Sequence, residues 1–159
     1  MIRIGVSACL LGENVRYDGG NKFSNINQYF NSDIYDLKAI CPEVEIGMSI
    51  PRPPIQIINN GSIKLVQVEN HNKEFTQQMN DWFIENLNKL SQLSGFILKS
   101  KSPSCGYQTT RHYETNGNYF LDNGYFVNLI KSHNKSLPII DELSLHNKTL
   151  LNQFIDSLE

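Results

Sequence analysis

The sequence predicts one α/β domain over residues 1–159: a Rossmann-like, mostly parallel sheet with helices on it and a small hairpin attached. Three observations predict it. Short apolar runs at residues 2–7, 37–40, 96–99 and 137–140 read as buried strands. Helical periodicity occupies much of the chain between them, an alternation that favours parallel neighbours. The length of 159 residues suffices for one core and is short for two.

Taken in order, residues 2–7 form the first strand and run straight into Ala8-Cys9 and a loop. Residues 23–30 place Phe23, Ile26, Tyr29 and Phe30 at helical spacing and predict a short helix. The second strand, 37–40, ends at Cys41-Pro42, because proline has no N–H for a ladder and biases its predecessor toward extended geometry. Pro51-Arg52-Pro53-Pro54 makes a stiff loop, and the runs 55–58 and 63–68 flank Asn59-Asn60-Gly61, a hairpin signal. Residues 71–93 carry the longest helical pattern, with Phe75, Met79, Trp82, Phe83, Leu87 and Leu90 on one face. The third strand, 96–99, opens onto Ser102-Pro103-Ser104-Cys105-Gly106. Beyond it, Asn116-Gly117 and Asn123-Gly124 mark turns around a short extended segment. Residues 125–133 read as a helix, 137–140 as a fourth strand and 144–158 as a closing helix.

A formal net charge of -2 and a pI near 6.1 argue against a protein that grips long nucleic acid, which needs a basic face. The N-terminus has no basic leader, and no stretch approaches ~18 apolar residues, so the expected location is cytoplasmic, with no membrane contact. There, three cysteines are an odd count and a poor disulfide framework. They invite metal-binding or catalytic readings.

Each cysteine falls at the same place in its local pattern. Cys9 follows the first strand, Cys41 the second, and Cys105 sits in the loop after the third. In an open parallel sheet such loops share one edge, where ligands bind, so the three thiols are expected to meet. The opposing reading is three buried free cysteines, but their loops are rich in Gly, Pro and Ser, where no core packing is expected to require them. Three thiolates suit zinc or an iron–sulfur cluster. Zinc usually takes a fourth ligand, and His71, His112, His133 and His146 all read as surface residues in polar stretches. A cubane on three cysteines leaves one iron open, and an open, thiophilic metal position is suited to chemistry on a sulfur substrate.

The motifs that carry these cysteines match a family. Cys9-Leu10-Leu11-Gly12 with Val15-Arg16-Tyr17-Asp18-Gly19, Cys41-Pro42-Glu43-Val44 with Gly47 and Pro51-Arg52-Pro53-Pro54, and Gly95-Phe96-Ile97-Leu98-Lys99 with Ser102-Pro103-Ser104-Cys105-Gly106 together resemble the thiouracil desulfidase family. The resemblance implies a 4Fe-4S cluster on Cys9, Cys41 and Cys105, whose open iron binds the sulfur of a small thiolated pyrimidine. It implies a non-redox, hydrolase-type cleavage of the C–S bond that leaves the oxo form and sulfide. Some family members carry a further C-terminal domain associated with RNA, for which this chain is too short, so a free base or nucleotide is the expected substrate.

Replacing C=S by C=O needs a water and a base. Glu43, tethered two residues from Cys41 by a proline-stiffened turn, is the expected base, ahead of Asp18 and Glu45. Ser102 is expected to orient the water or relay a proton, with Ser104 supporting the loop and contacting substrate. Arg16 and Arg52 are expected to stack on or pair with the pyrimidine, or to bond the cysteine loops together. Two other readings use the same residues: a cluster-bearing sulfurtransferase that passes sulfide to an acceptor, and a zinc or metal-free binding module with structural cysteines.

Overall fold

The computed structural model describes residues 1–158; the last residue of the predicted domain, Glu159, lies outside the described residues. Two four-stranded sheets form the frame. The first contains β1 (Ile2–Ser7), β2 (Tyr35–Ile40), β5 (Gly95–Leu98) and β8 (Ile139–Asp141), in the order β2-β1-β5-β8 with every pairing parallel. All four predicted strands are there, the first with the limits expected and the others shifted by one or two residues. Chain order reverses between β1 and β5, because β2 lies on one side of β1 and all later strands on the other. Such a switch point is where open α/β sheets bind ligands, just outside the strand carboxyl ends.

The expected small hairpin is part of something larger. β3 (Ile55–Asn59) and β4 (Ile63–Gln67) pair antiparallel as predicted, but β3 also pairs in parallel with β6 (Thr110–Tyr113), which turns back into β7 (Tyr119–Asp122). β6 escaped the sequence reading because Thr-Arg-His-Tyr has no apolar run, and its strand character comes from its neighbours.

Both faces of the first sheet are covered. On one, Phe96 and Leu98 pack against Trp82 and Phe83 of α2 (Thr76–Glu85), Phe126 of α4 (Tyr125–His133), and Ile57 and Leu65 of the second sheet. Phe126 meets Phe96 edge-on at 5.7 Å. A side chain at Gly5 could not share this layer, since a Cβ there would lie 2.6 Å from the Phe96 ring. On the other face Ile4, Val6, Ile97 and Ile140 pack against Leu10, Phe30, and Phe154 of α5 (Lys148–Ser157). No helix among the described residues is long and apolar enough to cross a membrane.

Two helix expectations need correction. Residues 23–30 form only a 3-10 turn, Ile26–Gln28. The N–H groups of Lys22 and Ser24 donate to the carbonyls of Cys9 and Leu10, so this segment is spent bracing the Cys9 loop instead of coiling. The long pattern 71–93 starts only at Thr76, because Glu74 bridges to Val66 and Phe75 N–H donates to Leu65 C=O, which pins residues 74–75 against β4. It breaks at Asn86, which separates α2 from α3 (Leu87–Leu90), and the Asn86 side chain donates to Trp82 C=O. The closing helix likewise divides: Ser144–His146 is a 3-10 turn, and α5 begins after Asn147, whose side chain accepts from Leu150 N–H as an N-cap.

Candidate active site

A cleft of about 320 Å³ opens at the carboxyl ends of β1, β2 and β5, and Cys9, Cys41 and Cys105 all line it. Cys9 sits in a 3-10 turn, Ala8–Leu11, that continues β1, and the turn closes on Gly12 in the left-handed region at φ 92°. Cys41 is the extended residue before α1 (Pro42–Glu45), a single helical turn started by the proline the sequence had flagged as a strand terminator. Cys105 stands in the loop after β5. Cys9 and Cys105 are buried and belong to the two core layers, so the expectation that no core packing requires the cysteines holds only for the half-buried Cys41.

Burial is the main force on all three thiols. It pushes Cys9 up to about 11 and Cys105 up to about 12, and it raises Cys41 as well; the charge of Cys41 adds to the rise at the other two. Such thiols stay protonated at neutral pH unless something cationic replaces the protons. Three thiol donors fit the chemistry of an iron–sulfur core, which takes each cysteine on a different iron. Among the described residues no three His, Cys, Asp or Glu side chains are gathered as one metal ion would need. Zinc–thiolate bonds of about 2.3 Å demand sulfurs nearly in contact, whereas an iron–sulfur core takes each cysteine on a different iron across a wider gap.

Beside the thiols, Glu43 is bonded through both oxygens. Arg52 Nε donates to Oε1 at 3.1 Å and Ser104 Oγ donates to Oε2 at 2.9 Å. Arg52 is buried and fully engaged: Nη1 donates to Ser49 C=O and Nη2 to Val15 C=O, while its backbone N–H donates to Tyr17 C=O. It thus ties two loops, that of Val15 and Tyr17 and its own, to Glu43. Ser102 Oγ lies 3.1 Å from Ser104 Oγ and accepts the N–H of Cys105 at 3.0 Å, which caps the turn carrying that cysteine. The hydroxyl in contact with the carboxylate is therefore that of Ser104, with Ser102 one step behind it. Arg16 lines the same cleft, and Asp18 is exposed on its rim side, bonded to Gly20 N–H. Glu45 turns back to accept Cys41 N–H.

Two groups, one at this end of the fold and one in the second sheet, were missed or misplaced on sequence grounds. Glu142, directly after β8, accepts Ser100 N–H at 2.7 Å, Ser100 Oγ–H at 2.9 Å and Lys99 Nζ at 3.2 Å. It clamps the start of the Cys105 loop. Glu142 follows a parallel strand just as each cysteine does, and the convergence rule that united the cysteines applies equally to it. The second is His112. Far from lying on the surface, it is 0 % exposed in the second sheet, its Nδ1 accepting from Asn59 and its Nε2 donating to Asn123 C=O at 2.7 Å, with Phe120 stacked on the ring. The alternation of β6, invisible without a recognised strand, is what turns it inward.

Fold and cleft together define a mixed α/β protein with a thiol-lined site at the switch point of its parallel sheet, and the comparisons with known proteins agree. The model of the 2-thiouracil desulfurase family matches residues 4–142, and the chain belongs to that family. It is 32% identical over 112 residues to the uncharacterized protein YbbK of Bacillus subtilis (strain 168), covering 64% of this chain and 71% of YbbK. Among solved structures it resembles the 4Fe-4S-dependent thiouracil desulfidase TudS, with a TM-score of 0.70 and 28% identity over 96% of this chain and 99% of that one.

Proposed function

We propose that this chain is a desulfidase that converts the thiocarbonyl of a small thiouracil-type pyrimidine to the oxo form and releases sulfide, with a 4Fe-4S cluster held by Cys9, Cys41 and Cys105. The observation that carries this reading is one cleft lined by all three thiols together with Glu43 and Ser104, joined at 2.9 Å. When bound, the cluster would supply a thiophilic iron for the substrate's sulfur, so that sulfide leaves more readily.

The chain's own groups account for the rest. The overall balance is C=S plus water to C=O plus hydrogen sulfide, with no net electron transfer. Water attacks the ring carbon and gives its proton to Glu43, whose carboxylate Arg52 Nε and Ser104 Oγ hold in one orientation. Ser104, between that carboxylate and Ser102, can pass a proton onward to the departing sulfur or a ring nitrogen, with the Ser102 hydroxyl donating to it from behind. Arg52, with every guanidinium nitrogen engaged, positions the base, whereas Arg16 faces the substrate.

Protein purified and reconstituted without oxygen should carry about four irons and consume 4-thiouracil, its near-ultraviolet band decaying as uracil and sulfide appear with no acceptor added. Glu43→Gln should keep the iron and lose turnover by about a hundredfold or more. Sulfide release only with a thiol acceptor would indicate a sulfurtransferase instead. Colourless anaerobic protein with stoichiometric zinc would remove the cluster from the account.

A further inference from the structure

Four cationic side chains line the cleft, and they differ sharply in what their donors have to do. Arg52 spends its three guanidinium nitrogens on Glu43, Ser49 C=O and Val15 C=O. Lys99 spends its ammonium on Ser100 C=O, Ser100 Oγ and Glu142. Lys101 is exposed at the rim. Arg16 stands apart. Its side chain is only 23% exposed and the Asp18 carboxylate comes no closer than 3.9 Å, itself half in water. Its Nε is covered with no partner, and the guanidinium makes no hydrogen bond among the described residues. It rests near the Tyr17 ring, 5.7 Å from the centroid, on a backbone pinned by the bond from Arg52 N–H to Tyr17 C=O.

A guanidinium is donor only and stays charged at any pH the protein survives. Its covered Nε, left without a partner, calls for an acceptor, since buried polar groups left unpaired are the exception in folded proteins. A 2-thiouracil ring presents an exocyclic oxygen at C4, where a 2-thiocytosine ring presents an amino group that can only donate. We propose that Arg16 determines specificity in this cleft, accepting oxo-pyrimidines through their exocyclic oxygen and rejecting amino-pyrimidines, which would leave it facing another donor. The inference rests on the desulfidase reading for its ring class, and it adds a rule that reading does not contain.

The test separates recognition from turnover. Equilibrium dialysis of anaerobic, cluster-loaded protein with labelled 4-pyrimidinone and 4-aminopyrimidine, which carry one exocyclic group each, reads recognition without a sulfur to remove, and kcat/KM for 2-thiouracil and 2-thiocytosine reads it during catalysis. Wild type should favour the oxo ring by about a hundredfold or more in both, since a site built around one hydrogen bond strongly rejects the ligand that lacks it. Arg16→Met should bring the preference below about tenfold, mainly through KM, with iron content and visible absorption unchanged. Arg16→Lys, which keeps a donor, should retain an intermediate preference and covers the case in which the methionine variant does not fold. No detectable pyrimidinone binding, a wild-type ratio near one, a ratio untouched by either substitution, or loss of iron in both variants would overturn the proposal. The last would place the guanidinium in the service of Cys9. Selective pyrimidinone binding without turnover of any thiopyrimidine would sink the desulfidase reading and leave this one standing. Equal turnover of both rings would do the reverse.

Discussion

The roles of Ser102 and Ser104 are set by which way each hydroxyl points. Ser102 bonds the backbone of the Cys105 turn, while Ser104 reaches across to Glu43, an acceptor 61 positions earlier in the chain. Chemistry alone cannot order two serines flanking one proline, because both have the same donors and acceptors. The thiols, too, acquire their character from surroundings. In the metal-free protein burial holds Cys9 near 11 and Cys105 near 12, above the ordinary value of 9.0, so the folded state binds protons that the unfolded chain has begun to release. The sign follows directly: that contribution to stability is complete below about pH 9 and is lost as pH climbs toward the folded values. Thermal unfolding of metal-free, reduced protein should therefore shift to lower temperature between about pH 8 and pH 11, and Cys9→Ala should flatten the shift. A midpoint independent of pH over that interval would show that the thiols do not carry the effect.

At the scale of elements, the Cys105 loop is held by two structures that arrive later in the chain. Glu142 fixes its start. The first turn of α4 fixes its end, with Gly124, Tyr125 and Phe126 donating their N–H groups to the carbonyls of Gly106, Pro103 and Ser104. Gly124 permits this approach, since a Cβ there would lie 2.5 Å from Ser104 O and 2.9 Å from Gly106 N, both backbone atoms that cannot swing aside. Gly124→Ala should destabilise the fold by about 1–3 kcal/mol in denaturant unfolding and lower iron retention after reconstitution. Unchanged iron retention would uncouple α4 from the Cys105 loop. The sequence marked Asn123-Gly124 only as a turn; its second task, letting a helix end press on a cysteine loop, exists only once the two are adjacent.

Over the whole molecule, one edge stands out. β7 closes the second sheet with all four residues exposed, and Leu121 is 58% exposed while its strand has no outer partner among the described residues. An apolar edge strand is a template for unwanted pairing. Leu121→Lys should reduce light scattering on concentration and leave iron content and turnover as they were; impaired turnover would tie this edge to the cleft.

What the sequence by itself determined is the class of the fold and the gathering of the thiols. Apolar runs mark the parallel strands, each cysteine follows one of them, and strand ends in a parallel sheet share an edge whatever lies between. The motifs around Cys9, Cys41 and Cys105 also sufficed to indicate the family. Tertiary structure alone decided which hydroxyl meets Glu43, that Arg52 is fully engaged while Arg16 is bare, that Glu142 belongs at the site, and that the hairpin is half of a second sheet. The physical reason is range. Periodicity and turn chemistry act over a few residues and leave a trace in local sequence, whereas hydrogen bonds such as Glu43 to Ser104 or Ser100 to Glu142 join residues that only the completed fold makes neighbours.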